Sequence, residues 1–153
     1  MDTDLDTVVI ALGPDVSDAA ADRLVETAMQ VAGPTDATVV LAYVFSGEQF
    51  IDAAKRLGHP DASREDVDDV LADHETVERL GATLADHGIT YAVRGAVGKV
   101  AEEVVAIADD VTAGRVIVSG RPRSPTGKAV FGSTAQSVIL DASCPVTYVA
   151  VEE

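Results

Sequence analysis

Short apolar runs rich in β-branched residues recur along the whole chain, and segments with helical spacing separate them. The runs that predict strands cover residues 7–12, 38–45, 89–94, 115–119 and 145–151. Strands that alternate with helices form a parallel sheet, and near-continuous apolar strands indicate that both faces of the sheet are covered. The sequence therefore predicts an α/β fold, a doubly wound five-stranded parallel sheet with helices on both faces.

Five segments between these strands are expected to hold helices. They cover residues 17–33, 46–60, 63–87, 98–111 and 132–140. The first should begin after Ser17, a favoured N-cap residue, and end at Gly33 and Pro34. The second has a weak signal that fits a short helix and a loop. Ser63 with Asp66 three residues later resembles a capping box, so one long helix is expected over the third segment.

Length and composition limit the possible functions. A chain of 153 residues with 26 acidic and 11 basic side chains carries a formal charge of −15. One domain is expected across residues 1–153. Phosphate backbones need a broad basic surface, so nucleic acid is not an expected partner. No signal peptide and no apolar run of membrane-spanning length is visible, so a cytoplasmic protein without membrane contact is expected.

The acidic side chains are mostly short. Asp accounts for 17 of the 26 acids, and the chain has only 3 lysines. Concentrated salt would screen the self-repulsion of such a surface, which suggests a halophilic source. An ordinary acidic cytosolic protein is the other interpretation.

One window of the chain is positive. Residues 111–140 contain no Asp or Glu and carry +4, whereas the remainder carries −19. The four cations of this window are Arg115, Arg121, Arg123 and Lys128. Three of them lie in a glycine-punctuated loop, residues 120–134, between the fourth strand and the last helix.

This loop has the features of an anion site. Gly120, Gly127 and Gly132 would let the backbone approach a ligand closely. Ser133 and Thr134 begin the last helix, where free N–H groups favour an anion. Ligands of such sheets bind at the carboxyl ends of the strands where the strand order reverses, and the loops after strands one, two and four are the candidates. The alternative is a flexible surface loop in which Ser133 only caps a helix.

No catalytic or metal-binding constellation is visible in the sequence. His59, His74 and His87 lack the spacing of metal ligands and are interpreted as solvated surface residues. The acids of the third helical segment are interpreted as a solvated face; they are Asp66, Asp68, Asp69 and Asp73. Enzymatic activity is therefore not predicted, and slow nucleotide hydrolysis is left open.

Several segments together resemble the universal stress protein family over nearly the full length of the chain. They are the run from Gly95 to Ala108, the run from Val116 to Gly120, the pair Gly132-Ser133, and the run from Cys144 to Val146. The resemblance implies a Rossmann-like domain similar to the adenine nucleotide α-hydrolases, a stress-response role and a homodimer joined through the last strands. Many members bind ATP, with Mg²⁺, through a loop of the pattern Gly, two residues, Gly, nine residues, Gly-Ser/Thr.

Carried onto this chain, the resemblance gives a set of nucleotide-binding candidates. They are Ala11, Leu12, Gly13, Val44, Gly120, Arg121, Arg123, Gly127, Lys128, Gly132, Ser133 and Thr134. Two departures are visible. Arg123 stands in place of the second loop glycine in a loop one residue shorter. Gly13 stands where nucleotide-binding members usually have an aspartate, and the nearest acid is Asp15.

Two functions therefore remain open. The first is a stress-response dimer that binds ATP or another nucleotide or anion. The second is a dimeric interaction or regulatory module that keeps the fold but does not bind ATP. In both functions, the last strand is expected to be an exposed apolar edge of the sheet that pairs with another strand. Antiparallel pairing of two copies is expected through Val146, Tyr148, Val149 and Val151.

Overall fold

The computed structural model describes residues 5–120 and 132–151, and its centre is a sheet of five parallel strands. The strands are β1 (Thr7–Leu12), β2 (Thr38–Phe45), β3 (Tyr91–Val97), β4 (Arg115–Gly120) and β5 (Val146–Ala150). Their order across the sheet is β3-β2-β1-β4-β5. The expected parallel sheet is confirmed, and the strand order reverses between β1 and β4.

Six α-helices connect or precede the strands. They are α1 (Asp18–Thr35), α2 (Gly47–Arg56), α3 (Val67–Ala72), α4 (Glu75–Asp86), α5 (Val100–Asp110) and α6 (Ser133–Asp141), with a 3₁₀ turn at Arg64–Asp66. Within the described ranges, no helix has both the length and the apolar character needed to cross a membrane.

The helices cover both faces of the sheet and create two cores. On one face, Ile10 and Leu41 pack with side chains from α1 to α4. On the other face, Val9 and Val40 pack with side chains from α5 and α6. Successive side chains of a strand point to opposite faces, so central strands buried on both sides need an unbroken apolar run. The two cores explain why the sequences of β1 and β2 contain almost no polar residue.

The predicted end of α1 is wrong, because the helix continues through Gly33 and Pro34 to Thr35. Pro34 lies in the last turn, where it removes one hydrogen bond to the carbonyl of Gln30, an exposed residue. Water can therefore replace the missing donor. The helix ends instead at Asp36, which adopts a left-handed conformation with φ 58°.

The long helix predicted over residues 63–87 is also wrong, since it is broken between α3 and α4. Its predicted beginning is confirmed, because the Ser63 N–H donates to Asp66 Oδ2 at 2.9 Å. The break falls at His74, whose extended backbone turns the ring inward against Tyr43. His74 is only 5% exposed. The interpretation of this histidine as a solvated surface residue was therefore incorrect.

Strand β3 begins and ends later than predicted, at Tyr91 and Val97. Gly95 lies inside the strand. Glycine is required at this position because a Cβ there would come within 2.6 Å of Leu71 Cδ1. The N–H of Gly95 donates to Asp68 Oδ1 at 2.7 Å. Asp68 thus satisfies a donor on an edge strand and is not merely solvated, as its helix face had suggested.

Candidate functional site

The turn from β1 to α1 closes tightly against the end of β2. The N–H of Val16 donates to the carbonyl of Gly13 at 3.0 Å, and Ser17 Oγ accepts a hydrogen bond from the N–H of Ala20 at 3.1 Å. A Cβ on Gly13 would lie 2.8 Å from the carbonyl oxygen of Val44. Only glycine therefore fits at this position without moving the β2 backbone.

A cavity of about 210 Å³ opens beside this turn, at the point where the strand order reverses. Its walls are the turn itself (residues 11–17), the end of β4 (residues 118–120), Val100 at the beginning of α5, Thr134 in the first turn of α6, and Val151. The cavity lies at the carboxyl ends of β1 and β4, which is where parallel sheets of this type hold their ligands.

The beginning of α6 borders this cavity. Gly132 is the N-cap residue, and among the described residues no side chain caps the first turn. That turn also contains no acidic residue. The first N–H groups of a helix have no partner inside the helix and carry the positive end of its dipole. Next to Thr134 in the cavity wall, these donors could hold a phosphate or carboxylate.

Five of the predicted site residues line the cavity. They are Ala11, Leu12, Gly13, Gly120 and Thr134. Two others, Gly132 and Ser133, are exposed at the beginning of α6 beside the cavity. Arg121, Arg123, Gly127 and Lys128 lie outside the described residues.

Val44 is placed differently from the other candidates. It is fully buried, and its side chain belongs to the core between the sheet and α5. It is not among the residues that line the cavity. Its carbonyl oxygen instead lies so close to Gly13 that a Cβ does not fit there.

The sequence reasoning missed several wall residues. Val100 and Val151 reach the cavity only through the topology, so no local signal could have identified them. Asp15 was visible as the acid nearest to the end of β1, and its position directly after a strand was the available signal. It lines the cavity as an exposed side chain.

The chemistry of the wall is that of a binding site. Among the described residues, the wall contains one carboxylate, Asp15, and no histidine, cysteine or lysine. Nor do three His, Cys, Asp or Glu side chains converge on a metal site anywhere in the described ranges. The apolar surface of Ala11, Val118 and Val151 beside a free helix N-terminus suits a ligand with one flat apolar part and one anionic part.

Comparison with known proteins identifies the family of the chain. The model of the universal stress protein family matches residues 5–150. A universal stress protein from Mycolicibacterium smegmatis is 31% identical over 123 residues, which cover 71% of this chain and 93% of the relative. The chain belongs to the universal stress protein family.

Solved structures of the family share the fold. A universal stress protein from Archaeoglobus fulgidus superposes with a TM-score of 0.67 at 25% identity, covering 94% of this chain and 97% of that chain. A universal stress protein in complex with cAMP has a TM-score of 0.62 at 22% identity, with coverage of 98% and 100%. An Arabidopsis thaliana family member with AMP bound has a TM-score of 0.61 at 13% identity, with coverage of 96% and 92%.

Proposed function

We propose that this universal stress protein binds an adenine nucleotide in the cavity at the carboxyl ends of β1 and β4. The observation that carries the proposal is the acid-free beginning of α6, which no side chain of the described residues caps, next to Thr134 in the cavity wall. In a chain of formal charge −15, such a site stands out as favourable for phosphate. The family members that hold cAMP and AMP support the same class of ligand.

The wall residues suggest how the nucleotide would lie. The base would pack against the apolar side of the cavity, formed by Ala11, Val118 and Val151. A ribose hydroxyl would donate to Asp15, and the phosphates would accept from the N–H groups of α6. Arg121, Arg123 and Lys128 would add charge to the phosphates, arginine in bidentate fashion. With ATP, Mg²⁺ would be held chiefly by the phosphates, because it usually keeps several waters and few protein ligands.

One observation favours the second candidate function, a dimeric interaction or regulatory module that binds no ATP. Nucleotide-binding members usually place an aspartate at the position of Gly13, and here even a Cβ would meet the Val44 carbonyl oxygen at 2.8 Å. The chain has therefore adapted its backbone to glycine at this position. Asp15 must replace the missing carboxylate if a nucleotide is to be held in the usual way.

Isothermal titration with AMP, ATP and ATP-Mg²⁺ separates the two functions. We expect one saturable site per protomer and tighter binding of ATP than of AMP, because the additional phosphates supply charged contacts. The titration is done in dilute buffer and in molar KCl, since salt screens these contacts. If none of the three nucleotides bound at concentrations up to about 5 mM, any dissociation constant would be weaker than millimolar. The interaction module would then remain as the function.

We also propose that two copies pair through β5. This strand lies at the edge of the sheet, and Val149 and Val151 are already buried within the protomer. Pairing would therefore use the outer edge of β5, with Val146 and Tyr148 alongside. Sedimentation equilibrium in molar KCl is expected to give twice the mass of 15.8 kDa. A protomer mass at the same protein concentration would contradict the pairing.

A further inference from the structure

A second cavity, of about 410 Å³, borders the first through the β1–α1 turn. Pro14 and Val16 line both cavities. The other walls of the second cavity come from the end of β2, from α2 and from the first turn of α4. Nothing in the proposed nucleotide site uses these walls, so the second cavity needs its own explanation.

Three rings line the second cavity. The rings of Tyr43 and His74 have centroids 4.7 Å apart, and those of Phe45 and His74 lie 6.3 Å apart. His74 is 5% exposed, and its Nδ1 has no hydrogen-bond partner among the described residues. Burial lowers the pKa of His74 below its ordinary value of 6.5. The imidazole is therefore neutral near neutral pH and keeps one acceptor nitrogen.

The rim of the second cavity is acidic. Among the described residues, Asp18, Asp52 and Glu75 line it together with one cation, Arg56. Arg56 Nη1 donates to both carboxylate oxygens of Glu75, at 3.0 and 3.1 Å. The charges of Arg56 and Glu75 therefore offset each other, and Asp18 and Asp52 remain as the excess negative charge of this wall.

The remaining two carboxylates differ in their surroundings. Asp18 Oδ1 lies 3.5 Å from Nη2 of Arg79, a residue that is not part of the cavity wall. Asp52 is exposed and forms no ion pair within the part of the chain that the structure describes. The pKa of Tyr43 is raised to about 12, by burial first and then by the charge of Glu75, which the charge of Arg56 opposes, with smaller contributions from Asp15 and Asp18. A cation is favoured in this cavity and an anion is disfavoured.

The carboxylates do not form a metal site. In the described ranges, no group of three His, Cys, Asp or Glu side chains could hold a metal ion. An aromatic floor below an acidic rim instead suits an organic cation, because a ring face attracts positive charge and packs against carbon. We infer that the second cavity binds a protonated primary amine carried on a short aromatic or apolar body. The ammonium would donate to Asp52, and the body would lie against the rings of Tyr43, Phe45 and His74.

The test uses three probes of similar shape and different charge, in dilute buffer near neutral pH. Benzylammonium, benzyl alcohol and benzoate are titrated against the protein while the ring signals of its 3 histidines and 3 tyrosines are followed by NMR. Benzylammonium is expected to shift the His74 and Tyr43 signals saturably, and to bind at least about tenfold more tightly than benzyl alcohol, since a charge-assisted hydrogen bond is added. Equal binding of the alcohol or of benzoate, or no saturable shift with the amine, overturns the inference.

Two matched variants separate the cavity from the general field of an acidic protein. Asp52→Asn and Glu48→Gln each remove one negative charge from α2, but only Asp52 lines the cavity. Asp52→Asn is expected to weaken benzylammonium about fivefold or more, and Glu48→Gln to stay within about twofold. Equal losses in the two variants would show non-specific attraction and overturn the inference.

Discussion

Replacing Gly13 with alanine is expected to destabilise the protein by about 1–3 kcal/mol and to weaken nucleotide binding by about tenfold or more. The added Cβ would lie 2.8 Å from the carbonyl oxygen of Val44, which is backbone and cannot rotate away. Either β2 or the β1–α1 turn must move, and that turn forms a wall of the proposed nucleotide site. The midpoint temperature of thermal unfolding should fall by about 2–4 °C for each kcal/mol of stability lost.

Gly33→Ala is the matched control for this substitution. Apart from its chain neighbours, a Cβ on Gly33 would meet no described atom within 4 Å, and the residue lies in α1, outside the cavity wall. This variant should change the free energy of unfolding by less than about 1 kcal/mol and leave nucleotide affinity unchanged, because the helix preference of alanine is offset by crowding against the ring of Pro34. If Gly13→Ala behaved like Gly33→Ala in both stability and nucleotide affinity, the close packing of the turn against β2 would be refuted.

The second large effect is expected at Gly132, where valine should abolish measurable nucleotide binding with a smaller loss of stability. Gly132 has φ 83° and ψ 154°, a conformation that is essentially restricted to glycine and costs other residues about 1–3 kcal/mol. No atom of the described residues lies within 4 Å of the added Cβ, so the expected cost is conformational and the chain can relieve it by rearranging locally. That rearrangement would displace the N–H groups at the beginning of α6. Titration with ATP measures the loss.

Gly88→Val provides the control for the conformational cost alone. Gly88 also has a positive φ, 71°, with no atom near the added Cβ, but it precedes β3 far from the cavity wall. Both variants should lose stability, and only Gly132→Val should lose the nucleotide. Wild-type affinity in Gly132→Val would mean that α6 does not hold the phosphates.

The sequence predicted the central strands well because their environment is simple. β1 and β2 have the predicted limits, since a strand buried on both faces admits an unbroken apolar run and ends where a turn residue appears. β3 was misplaced because it lies at the edge, where Gly95 is required by contact with Leu71 from α3. The break at His74 was also hidden, because the rings that hold it come from β2.

The candidate site was predictable in outline for a related reason. The end of β1, the end of β4 and the beginning of α6 must meet in a doubly wound sheet, so residues such as Gly13 and Thr134 could be assigned to one site from the sequence. Val100 and Val151 enter the wall from elements with no signature of their own. The second cavity was not foreseen at all, because its floor depends on the inward turn of His74.

The location of the nucleotide is tested most directly by NMR of the ¹⁵N-labelled protein during a titration with AMP. The amide signals expected to shift together, with one dissociation constant, belong to residues 11–13, 15–17, 118–120 and 132–135, which surround the cavity between β1 and α6. The amides of α4 and β3 should stay unchanged. Shifts centred elsewhere, or no shift of the α6 amides at saturating AMP, would contradict the placement of the nucleotide in this cavity.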